Sequence, residues 1–271
     1  MDLDSKNIQL QYQGFINTPC LWVEDLHGLK QMQFIEPNIG VFNDLIPSNL
    51  RLGKRVEHFV FHHLQQNSAI KILAENIQIQ KGKITVGELD CLLLKDQTPI
   101  HLEIVYKFYL YDSSVGTTEL EHWIGPNRKD ALIQKLEKLK NKQLPLLHTS
   151  DCKTYLEQLD LNASEIEQNV YFKAQLFVPF KERNHAFNLI NQECIIGFYI
   201  NLTELKEFTT CKFYIPEKKN WLVITHTNVS WLTFDVFLTK VADYMEREFS
   251  PLCWIKNQNG EIDKAFLIWW K

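Results

Sequence analysis

Between residues 57 and 107 the sequence places Glu57, Asp90, Glu103 and Lys107, three carboxylates and an amine, in or beside apolar runs. Asp90 ends the tetrapeptide GELD, and Glu103 follows thirteen residues later within IHLEIVYKFYLY. Two antiparallel strands of this length can set these carboxylates side by side. Strand side chains alternate faces, so His101, Glu103, Val105 and Lys107 share one face, and Glu88 shares a face with Asp90. Buried carboxylates of like charge repel, and one takes a proton unless a cation lies between them. A hard divalent ion, Mg²⁺ or Mn²⁺, resolves the repulsion with oxygen ligands from one or two carboxylates, water and a substrate phosphate. A nearby lysine would orient an attacking water or stabilise charge developing on phosphate. This set therefore suits metal-assisted phosphodiester hydrolysis. The competing arrangement is a hairpin whose acids face solvent and whose Lys107 forms a weak surface ion pair.

The elements that must position these residues read as a helix, three strands, a helix and a strand. Leu52, Val56, Phe59, Val60 and Leu64 recur at helical spacing and predict a helix over about 50–66, capped by Ser48 or Asn49. Strands are predicted over about 69–80, 84–95 and 100–111, with KDQTP as the last hairpin connection. Gly125 and Pro126 break the chain, Asn127 can cap, and Leu132, Leu136 and Leu139 mark a helix over about 128–142. LPLLHT at 144–149 reads as a short buried strand. The first 45 residues read as irregular, with apolar clusters at Leu21, Trp22 and Val23 and at Phe34 and Ile35, and loop signals at Pro37, Gly40 and Pro47. Beyond 150, VYFKAQLFVPF, CIIGFYINL, CKFYIP and WLVITH read as strands, and WLTFDVFLTKVADYMEREF as a helix. CWIKNQNGEIDKAFLIWW reads as a hairpin turning through a type I′ pair at Asn259 and Gly260. The expected division is an extension at 1–45, a core at 46–150 and an α+β region at 151–271.

That order, with GELD on one strand and HLEIVYKF on the next, resembles the PD-(D/E)XK nuclease superfamily. GELD is similar to the GE(I/L)D variant of its aspartate motif. The chain as a whole is similar to an uncharacterised bacterial family assigned to that superfamily. The resemblance implies an α/β restriction-endonuclease-like core with an additional α+β C-terminal region. It implies Asp90 and Glu103 as metal ligands, Glu57 as a metal-linked acid on the first helix, and Lys107 as the charge-stabilising group. Where the superfamily usually has its lysine, two residues after the glutamate, this chain has Val105, and Lys107 is the next lysine on that face. The implied activity is a Mg²⁺- or Mn²⁺-dependent nuclease acting on DNA in preference to RNA. Two rivals stand beside it: a nucleic-acid-binding module without catalysis, and a protein-interaction scaffold built on the C-terminal half.

Contacts to nucleic acid are expected from Arg51, Lys54, Arg55, His101, Asn127, Lys129, Lys135 and Lys138. Lys135, Lys138 and Lys142 recur at helical spacing and can track a phosphate backbone; the alternative is a solvated helix face. Lys129 stands next to a predicted helix N-terminus, which favours phosphate. A homodimer would suit duplex cutting, and the C-terminal half could hold a protein partner. His58 and His62 share a helix face, but no HExxH pattern completes a zinc site. The C-terminal tryptophans suit a core better than base stacking. With 271 residues, 29 basic and 33 acidic side chains and a net charge of -4, the chain is of ordinary globular composition. The six scattered cysteines form no CxxC pair, which argues against a zinc ribbon or disulfide scaffold. No P-loop, GxGxxG or GxSxG motif is present, so nucleotide motors, dinucleotide oxidoreductases and α/β-hydrolases are not indicated. No apolar stretch is long enough for a membrane helix and the N-terminus is polar and acidic, so a cytoplasmic protein without a membrane partner is expected.

Overall fold

The structure is a computed structural model that describes residues 3–33, 40–183 and 185–270. Phe34, Ile35 and Pro37, expected to mark an apolar cluster and a loop, lie outside the described residues. In chain order the elements are α1 (Leu3–Asn17), β1 (Asp25–Leu26), β2 (Leu29–Lys30), α2 (Leu52–Gln65), β3 (Ile70–Lys81), β4 (Ile84–Lys95), β5 (Thr98–Tyr111) and β6 (Trp123–Ile124). There follow α3 (Leu132–Lys138), α4 (Ser150–Gln158), β7 (Glu167–Pro179), β8 (Ile195–Asn201), β9 (Lys212–Tyr214), α5 (Phe234–Glu246), β10 (Leu252–Lys256) and β11 (Ile262–Ile268). The fold is α/β, with a large mixed sheet and helices. The chain divides into two compact units, one of 20–106 and 134–173, the other of 1–19, 107–133 and 174–271. None of the described helices is long and apolar enough to cross a membrane.

In the first unit β3, β4 and β5 form an antiparallel meander. The β4–β5 turn is tight because Asp96 and Gln97 both take left-handed backbone (φ 49° and 69°) between the paired residues Lys95 and Thr98. This is a type I′ geometry, whose twist matches that of the flanking strands. Ile77, Ile79, Leu89 and Leu92 pack with Leu146, Leu147, Cys152, Leu156 and Ile166 into one apolar core. Gly87 lets that core close, since a Cβ there would lie 2.5 Å from Cδ2 of Leu146. The expected strand at 144–149 is instead a 3₁₀ turn over Leu144–His148, followed by α4. Pro145 suits a helical start and disfavours a central strand. Leu144, Leu146 and Leu147 are buried as expected, but from a 3₁₀ turn. The strand that follows in chain order is β7. The helix predicted over 128–142 is shorter, since α3 ends at Lys138 and a π-type turn occupies Leu139–Gln143. Neither Ser48 nor Asn49 caps α2, whose N-cap residue is Arg51.

In the second unit the C-terminal part of β7 pairs in parallel with β8, and β8 with β11. β10 runs antiparallel between β11 and β9. Phe198, Phe213, Phe237, Val241 and Leu267 belong to its aromatic-rich core. The β10–β11 hairpin forms where expected, but by another turn. Among its loop residues only Gly260 has positive φ (92°), and its N–H bonds the Asn257 carbonyl at 3.1 Å, a type I turn followed by a glycine bulge. WLVITH is not a strand, because the N–H groups of Trp221 and Val223 are committed to turn bonds with Lys218 and Asn220. Leu3–Asn17, within the segment expected to be irregular, is helical. Gly14 inside α1 reads as a breaker, yet it is a contact: a Cβ there would fall 2.0 Å from the Leu222 carbonyl oxygen. Trp221, Trp254 and Trp270 are buried, as core residues are. All six cysteines are free thiols.

Candidate functional site

The β4–β5 ladder pairs Lys95 with Thr98 and continues as far as Cys91 with Leu102. There it stops, at the step where Asp90 and Glu103 would be the next partners. Asp90 replaces the missing rung, and its Oδ2 accepts the Ile104 backbone N–H at 2.8 Å. The two carboxylates therefore stand on adjoining strands where those strands part. Burial, then the charges of Glu103 and Glu57, raise the Asp90 carboxyl to about 7, against the lowering pull of the Ile104 N–H and Lys135. Asp90 Oδ1 accepts no hydrogen bond among the described residues.

Glu103 is fully buried and wrapped by neutral donors. His101 Nε2 lies 3.1 Å from its Oε1, and Gln143 Nε2 donates to its Oε2. Gln168 fixes the imidazole, because its Nε2 donates to the Leu144 carbonyl at 2.6 Å and to His101 Nδ1 at 3.0 Å. Nδ1 is thus an acceptor, and the imidazole proton sits on Nε2, facing Glu103. Lys135 Nζ donates to Gln143 Oε1 at 2.7 Å. The chain from Lys135 through Gln143 to Glu103 brings the positive charge of α3 to the carboxylate pair.

Glu57, on α2, lies in a second group of polar side chains. Lys54 Nζ reaches Glu57 Oε2 at 2.7 Å, Asn76 Oδ1 at 2.9 Å and Glu88 Oε1 at 3.0 Å. Gln78 donates to the other oxygen of Glu88. Burial raises the Glu57 carboxyl, opposed by Lys54. Asn76 holds left-handed backbone, φ 52°, within β3.

Lys107 pairs with Asp130 at 2.6 Å, both in the other unit. Arg55 is 3% exposed and donates to the Pro47 and Ser48 carbonyls, so it ties the entry loop to α2. His101 likewise has no surface in solvent. Arg51, Lys54, Lys129 and Lys138 are exposed, and Lys135 is half-buried. Asn127 does not cap α3; its Oδ1 accepts the Ser250 N–H at 2.7 Å. His62 is bound to Asp44 at 2.8 Å, and no cluster of three or more His, Cys, Asp or Glu side chains occurs among the described residues. Carboxylate oxygens are the donor type that Mg²⁺ and Mn²⁺ take, not the nitrogen and sulfur set of a closed zinc site.

Sequence reasoning missed Gln143 and Gln168. Gln143 comes to Glu103 from the π-type turn, and Gln168 from the start of β7; no spacing within GELD or HLEIVYKF points to either.

Residues 29–268 match a family described as a domain of unknown function, DUF1853. The chain belongs to this family. No curated protein and no solved structure matches the chain. The match takes in α2, β3–β5, α3 and β7, so the whole carboxylate site lies inside the DUF1853 domain.

Proposed function

We propose that this DUF1853 domain is a divalent-metal-dependent phosphodiester hydrolase, a nuclease acting on DNA in preference to RNA. The observation that carries this reading is the parting of β4 and β5 at Asp90 and Glu103, which sets two carboxylates together, with the charge of Lys135 acting on Asp90. The order of α2, the β3–β4–β5 meander, α3 and β7 also supports a restriction-endonuclease-like core.

Asp90 and Glu103 would hold Mg²⁺ or Mn²⁺, which when bound polarises phosphate and lowers the pKa of water. Asp90 keeps Oδ1 open while Ile104 holds Oδ2. His101 and Gln143 fix the rotamer of Glu103, and Gln168 fixes the tautomer of His101. Lys135 supplies positive charge beside Asp90 and would stabilise the charge that develops on the phosphate. Lys54 balances Glu57 and Glu88, so their charge does not all fall on the site. Arg51 and Lys138, exposed in the same unit as the carboxylates, are cations available to a phosphate backbone.

A second reading is a module that binds nucleic acid without cutting. The complete burial of Glu103 favours it, since a ligand locked by two donors has less freedom to coordinate. One experiment separates the two. Linear, circular and branched duplex, single-stranded DNA and RNA are incubated with wild type, Asp90→Asn and Glu103→Gln, each with Mg²⁺, Mn²⁺ or chelator. Cleavage that needs metal and both carboxylates supports the nuclease. Salt-sensitive binding without cleavage supports the binding module.

A further inference from the structure

A cavity of about 200 Å³ lies wholly in the second unit, and its lining includes Gly14, Thr18, Gln175, Ile196, Ile224 and Lys264. Its rim reaches solvent and is mixed: Ile196 and Ile224 are 37% and 52% exposed, beside the polar Asn17, Thr225 and Asp263. Its buried end is polar, formed by Thr18, Gln175 and Lys264, each exposed by no more than 6%. Lys264 lies on β11 and makes no ion pair among the described residues. Its Nζ donates to the Gln175 Oε1 at 3.0 Å and to the Trp221 carbonyl at 2.8 Å. Gln175 passes the chain on to Thr18 Oγ1 at 3.4 Å, and Thr18 to the Gly14 carbonyl at 2.8 Å.

An ammonium carries three N–H donors, whereas a neutral lysine amine carries two and a lone pair. Two carbonyl acceptors match the neutral amine and leave the lone pair uncommitted. An unpaired buried ammonium is costly, so burial itself favours the neutral form. We propose that Lys264 is a nucleophilic amine at the floor of this cavity and captures a small aldehyde or ketone as an imine. The pushing down of its amine to about 7 by burial agrees with the geometry.

The nitrogen lone pair attacks the carbonyl carbon, and the carbonyl oxygen takes up a proton to give a carbinolamine. Loss of that hydroxyl with the remaining nitrogen proton releases one water and leaves the C=N bond. No oxidant or reductant is consumed. Ile196 and Ile224 give the carbonyl compound an apolar wall, and the small volume limits it to a short chain.

The test is reductive trapping of the intact protein with butanal and cyanoborohydride at pH 7.5, followed by peptide mass mapping. An ordinary lysine is neutral only to about one part in 10³ at that pH. Lys264 is therefore expected to be alkylated at least about tenfold faster than the exposed Lys212 and Lys240, and urea unfolding should erase the preference. Alkylation of Lys264 no faster than that of those two overturns the proposal. So does a preference that survives unfolding. Asp90→Asn, remote in function from the cavity, should label like wild type; loss of the preference there would equally overturn it.

Discussion

Asp90 is half-buried and Lys264 buried, both lack a direct ion-pair partner among the described residues, and both are driven to about 7 from opposite ends of the scale. Burial is the largest cause for each, but their settings differ. Asp90 stands with a second acid, Glu103, so the deficit in the first unit is positive charge. Lys264 donates only to neutral carbonyl acceptors in the second unit, and Asp263, which lines the same cavity, pairs with Arg183 instead. Similar pKa values thus point to different chemistry: the acid pair calls for a cation, and the solitary amine for an electrophile. The group around the residue, more than the value, identifies the ligand.

The comparison is broken most sharply by activity. Asp90→Asn keeps the acceptor for the Ile104 N–H and removes the charge. Cleavage should then fall about 10³-fold, roughly 4 kcal/mol of transition-state stabilisation. Lys264→Met should leave cleavage within about twofold. Equal losses in the two variants would show that the regions are not chemically separate. Lys135→Ala should cost about 10²-fold as a lost charge contact, and Gln143→Leu roughly 10- to 100-fold through the freed Glu103 rotamer. Both are read from initial rates at saturating Mn²⁺.

Stability against pH sharpens the comparison further, because the signs are opposite. Asp90 has its folded value raised, so the native state keeps a proton that the unfolded chain has released. Stability therefore falls as pH rises from about 4 to about 7 and stays low above. Lys264 has its folded value lowered, so the unfolded chain keeps the proton and stability climbs from about 7 to about 10.5. Each slope is expected to amount to about 2–4 kcal/mol. Urea melts should show the acid-side fall vanish in Asp90→Asn and the alkaline rise vanish in Lys264→Met. Mn²⁺ at pH 7 should raise the melting temperature of wild type and not of Asp90→Asn.

The first unit was more legible in the sequence than the second, for a physical reason. α2 and β3–β5 carry their own periodicity: Val56, Phe59 and Val60 on one helix face, and long β-rich runs joined by two-residue turns. Asp90 and Glu103 were legible because charge inside such runs is conspicuous. Gln143 and Gln168 were not, since an amide in a turn or at a strand end signals nothing until the fold closes round it. α1 was hidden by polar residues and by Gly14, whose reason lies at Leu222, more than two hundred positions away. WLVITH was read as a strand because it is a run of apolar residues, of which Trp221, Leu222 and Val223 are buried, whereas its backbone bonds locally. Lys264 is the same kind of case. Nothing in EIDKAFLI separates a lysine at the floor of a cavity from one in solvent.

The smallest expected effect concerns Lys107, the amine that shares an alternation face with Glu103 in the sequence. Its Nζ is held by Asp130 at 2.6 Å, and both side chains are more than a third exposed. A surface pair of this kind contributes no more than about 1 kcal/mol, and less at high salt. Lys107→Ala should therefore shift the urea midpoint only slightly and change cleavage by less than about twofold. Lys135, coupled to Asp90 and bonded to the amide that holds Glu103, should cost far more. A double variant would show whether the two effects add, as separate sites do. If Lys107→Ala abolished cleavage while Lys135→Ala did not, the lysine on β5 would be the working one. The Asp130 pair would then have to open in the substrate complex, and the role given to Lys135 would fall.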